Sequence, residues 1–213
     1  RPEDNRKGWI SGLDEEAGRR RPTAGGLRIG KPLNERGPGA PVDDRMEWDR
    51  DGQYFHYLTR WMHALDCVAR TTRDAIYLEW ALDLARAANA GFVKVRADGS
   101  RHMCWKMSID LSYPQVPSMG HHDPLDGFVT LRQLQTSCAV LGMQASPGID
   151  EAVEDMAELC TGRNWTTDDP LGIGGLLGDA WRLLQMIRDR GLNDTGMLVD
   201  VLGDARRGLD LFA

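Results

Sequence analysis

The sequence lacks the features that mark membrane proteins and nucleic-acid-binding proteins. No run of apolar residues approaches the roughly 20 that a membrane-spanning helix needs. Positive charge is also in short supply: the formal net charge is -6, whereas nucleic-acid binders usually present a basic surface. We therefore expect neither a membrane nor a nucleic acid as partner.

Cysteine is scarce as well. The four cysteines, Cys67, Cys104, Cys138 and Cys160, are widely separated and form no CxxC pair. Three of them fall on or beside the apolar stripes of predicted helices, where a free cysteine behaves as a small buried hydrophobe. The first residues are polar and do not resemble a signal peptide. This pattern favours a cytoplasmic protein over a secreted disulfide scaffold.

What is present is an ordinary globular composition with an uneven distribution along the chain. Hydrophobic residues make up 41% and charged residues 27% of 213 residues, enough to form a sizeable core. Residues 1–50 are rich in glycine, proline and charge, with breakers such as Gly25-Gly26 and Gly37-Pro38-Gly39. We predict an extended, loop-rich N-terminal segment over 1–50 and a helical-hairpin domain over 51–213.

From Tyr54 onward, apolar residues recur every three or four positions, which is typical of amphipathic helices. Six such helices follow, and short connections predict that they pair as three antiparallel hairpins. The first helix shows the stripe Tyr54, Leu58, Trp61, Leu65 and Val68. Near 92–108, two short strands around Asp98-Gly99 predict a small β-hairpin insertion. The predicted fold class is therefore all-α.

A weak internal repeat supports an array of hairpins. Asp123-Pro124-Leu125 and Asp169-Pro170-Leu171 stand at matching places, each at the start of the first helix of a pair. Proline suits the first helical position, and a preceding aspartate suits the N-cap. A unit that recurs in this way indicates a curved array of helix pairs.

Polar groups on the first helix form one candidate binding surface. His56, Arg60 and His63 are spaced by four and three residues, so they share a face, beside the aromatic Tyr54 and Trp61. Aromatic rings beside hydrogen-bonding groups suit carbohydrate, whose CH faces stack on rings. We predict that this face borders a cavity that binds a small carbohydrate; the alternative is a solvent-facing surface.

A second cluster lies around the loop before the third helix. A histidine there can take and give a proton at neutral pH, and His121 is the candidate general acid and base. Asp123 and Asp126 either assist it or cap the helix. The candidate residues of this cluster are Trp105, Lys106, Asp110, His121, His122, Asp123 and Asp126.

We expect neither a metal nor a cofactor. His102 and Cys104 alternate on a predicted strand and could face an ion with a histidine of the second cluster. Adjacent histidines such as His121 and His122 cannot easily share one ion, however, and no compact ligand spacing occurs.

Several of these residues resemble the N-acylglucosamine 2-epimerase family. Met62-His63-Ala64-Leu65-Asp66, then Thr72-Arg73-Asp74 and Tyr77-Leu78 with Ala81, resemble its HMHLxEA and TGDxxYLxxA motifs, and Gly120-His121 followed by Asp123 resembles its PGHxxE motif. The resemblance covers roughly residues 54–130. Trp61 stands where the family has the first histidine of HMH, and Met119 where it has the proline.

The resemblance implies an alpha/alpha toroid of six helical hairpins, a fold shared with several glycoside hydrolase families. It also implies isomerisation or epimerisation of a ring-opened sugar by histidines acting as general acid and base, without a metal. His63 would match a substrate-pocket histidine, and His121 a proton-transfer histidine. Three hairpins would make an arc of about half such a ring, so we expect either a fragment lacking further hairpins or self-association through an exposed apolar flank.

Three functions remain open. The first is a sugar isomerase or epimerase, and the second is a glycoside hydrolase using two carboxylates some ~5 to 10 Å apart. The third is a noncatalytic helical scaffold. Convergence of His56, His63, Trp105 and His121 on one pocket would favour an enzyme.

Overall fold

The computed structural model describes residues 7–144 and 147–213 and is mostly helical, with 57% of the chain in helices. Within these ranges the helices are α1 (Glu15–Arg20), α2 (Asp44–Glu47), α3 (Phe55–Thr72), α4 (Ala75–Phe92), α5 (Asp123–Val140), α6 (Pro147–Cys160), α7 (Pro170–Arg190) and α8 (Thr195–Phe212). The strands are β1 (Gln53–Tyr54), β2 (Val93–Val95), β3 (Arg101–Met103), β4 (Lys106–Met107) and β5 (Pro114–Val116). None of the described helices is long and apolar enough to cross a membrane.

The six long helices pair as the periodicity predicts: α3 packs on α4, α5 on α6 and α7 on α8. Local sequence signals set the ends of these helices. Asp74 caps α4 by accepting a hydrogen bond from the Ile76 amide, and Gly191 ends α7 at a φ of 66°, a left-handed conformation that favours glycine. The three predicted hairpins are therefore confirmed.

The first helices of the three hairpins form one layer of parallel helices. Thr59 of α3 bonds to Asp126 of α5, and His63, one turn farther along α3, bonds to Gln133, which also lies farther along α5. The residues of α5 and α7 that bond to each other also follow in ascending order along both helices. In the second layer, α4 packs on α6. Parallel helices begin at a common end, so the loops that precede α3, α5 and α7 meet there. We call this end the loop end.

The two matching Asp-Pro-Leu triplets differ by one position in the structure. Asp169 is the N-cap of α7 and accepts hydrogen bonds from two amides of its first turn. Asp123, in contrast, is the first residue of α5, whose N-cap is His122 with no side-chain capping bond. The prediction that Asp123 caps its helix is therefore wrong, because its side chain lies inside the first turn.

The apolar stripe of α3 is shifted from its predicted phase. Phe55, Leu58 and Met62 are buried, whereas Trp61 is 55% and Val68 39% exposed. The helix carries aromatic or aliphatic residues on two faces, and periodicity alone does not decide which face is covered. Contact with both α4 and α5 covers the Phe55 side and leaves Trp61 outside.

The β-structure is more extensive than predicted. Strands β2 and β3 form the expected hairpin, with Val93 opposite Met103. Strand β4, by contrast, pairs with β1 and β5 in a separate three-stranded sheet at the start of α3. The predicted insertion near 92–108 is therefore correct as far as Met103 and wrong for Lys106 and Met107.

The N-terminal segment, described from residue 7, packs against the hairpin domain. The Arg21 guanidinium bonds to the buried carboxylate of Asp83 on α4. Farther along, Arg36 is 7% exposed and bonds to Glu47 and to the Gln115 carbonyl. The short helices α1 and α2 interrupt a segment that the sequence predicts as extended.

Candidate functional site

An aromatic cluster occupies the loop end at the start of α3. Trp105 is its centre: its ring centroid lies 5.1 Å from Trp48 and 4.9 Å from Tyr54, both edge-on, and 6.4 Å from the stacked ring of His56. His56 in turn lies 4.5 Å from Tyr57. The rings of Trp48 and Tyr57 are 59% and 44% exposed. Apolar ring surface beside an imidazole is therefore open to solvent.

Short strands hold this cluster in register. Tyr54 of β1 pairs with Lys106 of β4, and the Phe55 amide donates to the Trp105 carbonyl at 3.3 Å. This pairing places Trp105 over the first turn of α3, although the two segments are about fifty residues apart.

Tyr54 and Lys106 support the cluster from within. They are 1% and 0% exposed, and both the Tyr54 hydroxyl and the Lys106 ammonium donate to the Glu47 carbonyl. Burial, with the nearby Glu47 carboxylate, raises the pKa of Tyr54 to about 12. Burial lowers the pKa of Lys106, although Glu47 opposes this by favouring the charged amine. Neither side chain reaches the surface, so their polar atoms position the site rather than line it.

His56 is the histidine of the aromatic cluster. It is partly buried, and burial lowers the pKa of its imidazole, with Arg60 adding to the effect and Asp126 opposing it. Its imidazole is therefore mainly uncharged at neutral pH and can accept a proton. Arg60 is 58% exposed, and its Nη1 lies 3.7 Å from Oδ1 of Asp126.

A buried ionic cluster lies deeper between the three parallel helices. Nη2 of Arg182 on α7 donates to Asp126 on α5 and to Asp179 on α7, each at 2.6 Å. Nη1 of the same guanidinium donates to the Thr130 hydroxyl, and Asp126 also accepts from Thr59 of α3. Burial and the nearby Asp126 raise the pKa of Asp179. Asp126 is therefore neither a helix cap nor a surface group; it links all three helices.

Asp123 is buried next to this cluster without full hydrogen bonding. It is 7% exposed, and its Oδ2 has no hydrogen-bond partner within the described parts of the chain. Burial, reinforced by the charge of Asp126, raises the pKa of Asp123 to about 7. The pKa of this carboxyl group therefore lies near neutral pH, which marks it as a candidate proton carrier.

His121 stands apart from both aspartates. It is exposed, and its ring lies 4.5 Å from His122 and 6.3 Å from Trp165. Neighbouring His122 donates from Nε2 to the Trp165 carbonyl at 2.9 Å. The structure gives His121 no hydrogen bond to Asp123 or Asp126, and Asp126 is bonded to Thr59 and Arg182 instead.

His63 lines a cleft between the later turns of α3, α5 and α7. Its Nδ1 donates to Oε1 of Gln133 at 3.1 Å, and Gln133 donates to Asp66. The cleft has a volume of about 120 Å³, and Arg182 borders it as well as the ionic cluster. Burial and the nearby Arg182 lower the pKa of His63.

The predicted site residues thus fall into separate groups. The structure brings His56 and Trp105 together, with Arg60 and Asp126 beside them. It places His63 two turns farther along α3, and His121 against Trp165. Trp61 is exposed on the outside of α3.

Sequence analysis missed three contributors: Trp48, Thr59 and Arg182. Arg182 had one usable signal, because two buried aspartates require a cation and this arginine follows Asp179 by one helical turn.

The described residues contain no group of three or more histidine, cysteine or acidic side chains that could hold a metal ion. His102 Nε2 donates to the Pro117 carbonyl at 2.7 Å, and Cys104 is buried. Of the two candidate metal ligands, His102 is thus hydrogen-bonded to the backbone and Cys104 is buried.

Comparisons of the chain with models of known protein families, with curated proteins and with solved structures gave no match.

Proposed function

We propose that this chain is an arc of an alpha/alpha toroid and belongs to a carbohydrate-active enzyme. Three observations support the arc: α3, α5 and α7 run parallel as neighbours, each is followed by an antiparallel partner, and α4 packs on α6 in the second layer. Neighbouring hairpins that pack in sequence order build a curved two-layer array. Its substrate site is the loop end.

The observation that carries the function is the stacking of His56 on Trp105 beside exposed rings and charged donors. Trp48 and Tyr57 offer ring faces for the CH groups of a sugar, and Arg60 offers hydrogen bonds to its hydroxyls. An uncharged imidazole at the same place accepts a proton from a carbon next to the carbonyl of a ring-opened sugar. Returning the proton to that carbon or its neighbour completes an epimerisation or isomerisation.

His121 is the second proton-transfer candidate in this proposal. It lies on the loop that precedes α5, and its exposed ring is free to meet a substrate held at the loop end. His63, in contrast, lies in the cleft and binds Gln133, so we assign it no proton transfer.

The proposal is tested by proton exchange. The chain is incubated in D₂O with a panel of aldoses and ketoses, and deuterium at C2 is followed by ¹H NMR. We expect incorporation with at least one sugar, and at least a hundredfold loss in His56→Gln. His102→Gln, on the β-hairpin, is the matched control and keeps its rate. Absence of exchange with every sugar, or full activity of His56→Gln, contradicts the proposal.

A glycoside hydrolase is the second candidate, favoured by one observation. Asp123 has a pKa of about 7 next to the ion-paired Asp126, and a protonated acid beside an ionised one is the pattern of glycosidases. Against it, Oδ2 of Asp123 is inaccessible and Asp126 is held by Arg182. Release of nitrophenol from aryl glycosides, abolished in Asp123→Asn and retained in His56→Gln, would favour hydrolysis.

A further inference from the structure

The cleft beside His63 is a second site, separate from the aromatic cluster. Its walls come from the later turns of three helices. Besides His63, the residues that border it include Arg70 of α3, Gln133 and Thr136 of α5, and Arg182 and Arg190 of α7. At about 120 Å³ it is smaller than the roughly 300–1,000 Å³ of pockets for drug-sized ligands. A ligand of this site is therefore small, no larger than one monosaccharide with a single acidic group.

The chemistry of the lining favours an anion. Three guanidinium groups border the cleft, and that of Arg70 is paired with the buried Asp66. Asp189, the one carboxylate of the cleft among the residues described, is paired with Arg188. Guanidinium groups form charge-assisted hydrogen bonds to carboxylate and phosphate oxygens. The one aromatic ring that lines the cleft within the described ranges is the imidazole of His63, which is bonded to Gln133.

Part of the lining is already fixed in place. Arg182 is held by Asp126 and Asp179, and Gln133 donates to the buried Asp66. Arg190 differs from these, because it forms no ion pair or side-chain hydrogen bond with any residue in the ranges described. Its guanidinium at the rim is exposed and available to a ligand.

Neutral polar groups complete the set. The Thr136 hydroxyl and the amides of Gln133 and Gln185 lie among the charged groups of the cleft. Amides and hydroxyls both donate hydrogen bonds to sugar hydroxyls and accept hydrogen bonds from them. An anion without hydroxyl groups has no use for the acceptors.

We propose that this cleft binds a small polyhydroxylated anion, a monosaccharide carrying one phosphate or carboxylate group. The acidic group meets Arg190 and Arg70 at the rim, and the hydroxyls meet the amides and Thr136. The site needs no catalysis at the loop end, so its binding is measured independently of the proposed function.

Isothermal titration calorimetry of the whole chain tests the site with four probes: glucose 6-phosphate, gluconate, inorganic phosphate and glucose. We expect saturable one-to-one binding of glucose 6-phosphate or gluconate, and which of them binds more tightly identifies the acidic group. Phosphate and glucose should each bind at least tenfold more weakly, because each lacks one half of the recognised chemistry.

Variants locate the binding. Arg190→Gln should weaken the preferred anion by about tenfold, since one charge-assisted contact is lost. Arg206→Gln, an exposed arginine of α8 outside the cleft, is the matched control and should change affinity less than twofold. Should Arg190→Gln fail to fold by circular dichroism, Gln185→Glu at the same cleft replaces it.

His56→Gln separates the two sites, because it alters the aromatic cluster and should leave anion binding intact. The proposal is overturned when neither sugar anion gives saturable binding, when Arg206→Gln weakens it as much as Arg190→Gln, or when His56→Gln abolishes it.

Discussion

Replacing Arg182 by methionine is the most direct test of the ionic cluster that joins the three parallel helices. The substitution keeps much of the side-chain volume but removes the cation that binds Asp126 and Asp179 and the donor to Thr130. The Arg182 side chain is 11% exposed, and those of Asp126 and Asp179 are 7% and 4% exposed, so water cannot replace the lost partner.

The expected cost follows from leaving two buried carboxylates uncompensated. Removing one partner of a buried ion pair destabilises a protein by roughly 3–5 kcal/mol. The matched control is Arg188→Met on the same helix: its pair with Asp189 has side chains 66% and 49% exposed, so its loss should change the stability little. Urea unfolding followed by circular dichroism measures both losses.

The pH dependence provides a second check on the same variant. Burial and the nearby Asp126 already raise the pKa of Asp179 and Arg182 opposes this, so without Arg182 the folded pKa of Asp179 rises farther above its unfolded value near 4. A group with a raised folded pKa favours folding at low pH, and this contribution is lost as pH rises through the folded pKa. The cost of Arg182→Met should therefore be smaller at pH 4.5 than at pH 7.5. Equal losses in Arg182→Met and Arg188→Met, or a cost independent of pH, would refute the argument.

Three further predictions concern the rest of the fold. Asp123 has a folded pKa of about 7, so it favours folding below pH 4 and loses this contribution towards pH 8. Asp123→Asn should therefore remove up to about 4 kcal/mol of the pH dependence of the free energy of unfolding, measured by urea unfolding. An unchanged pH profile would contradict the assignment. Gly120→Ala should destabilise by about 1–3 kcal/mol in thermal unfolding, because its Cβ would lie 2.4 Å from Oδ2 of Asp123, whereas Gly174→Ala, with nothing within 4 Å, should stabilise α7. Trp181, 56% exposed on α7 in an apolar stripe, should support association of the chain; light scattering should show a mass that rises with concentration and falls in Trp181→Gln, and a constant monomer mass would exclude this.

The helices were predictable because their signals are local. Periodicity placed the long helices, and Asp74 and Asp169 marked helix starts by the capping bonds that the structure shows. The predicted phase of α3 was wrong, because both Phe55 and Trp61 lie on apolar stripes and tertiary contact selects one of them. Leu177 and Leu184 of the predicted α7 stripe are also exposed.

The candidate site was less predictable because its contacts are non-local. The two residues of β4 carry too little pattern to show that they pair with β1 rather than extend the hairpin. Sequence analysis identified Trp105 and His56 separately, but their stacking follows from that pairing. Arg182 is 56 residues from Asp126, and no local motif connects them.

The environment of Glu47 has a consequence for how the loop end is assembled. Its carboxylate accepts hydrogen bonds from Arg36 and Lys106, and its carbonyl accepts one from the Tyr54 hydroxyl. The Tyr54 ring in turn contacts that of Trp105. The aromatic cluster thus rests on a buried carboxylate of the N-terminal segment, which Arg36 of the same segment and Lys106 of β4 neutralise. Detaching that segment would remove Glu47 and leave the buried ammonium of Lys106 without its carboxylate beneath Trp105. Sugar binding at the loop end would then report on the docking of the N-terminal segment, which supplies both the Trp48 ring and the Glu47 carboxylate.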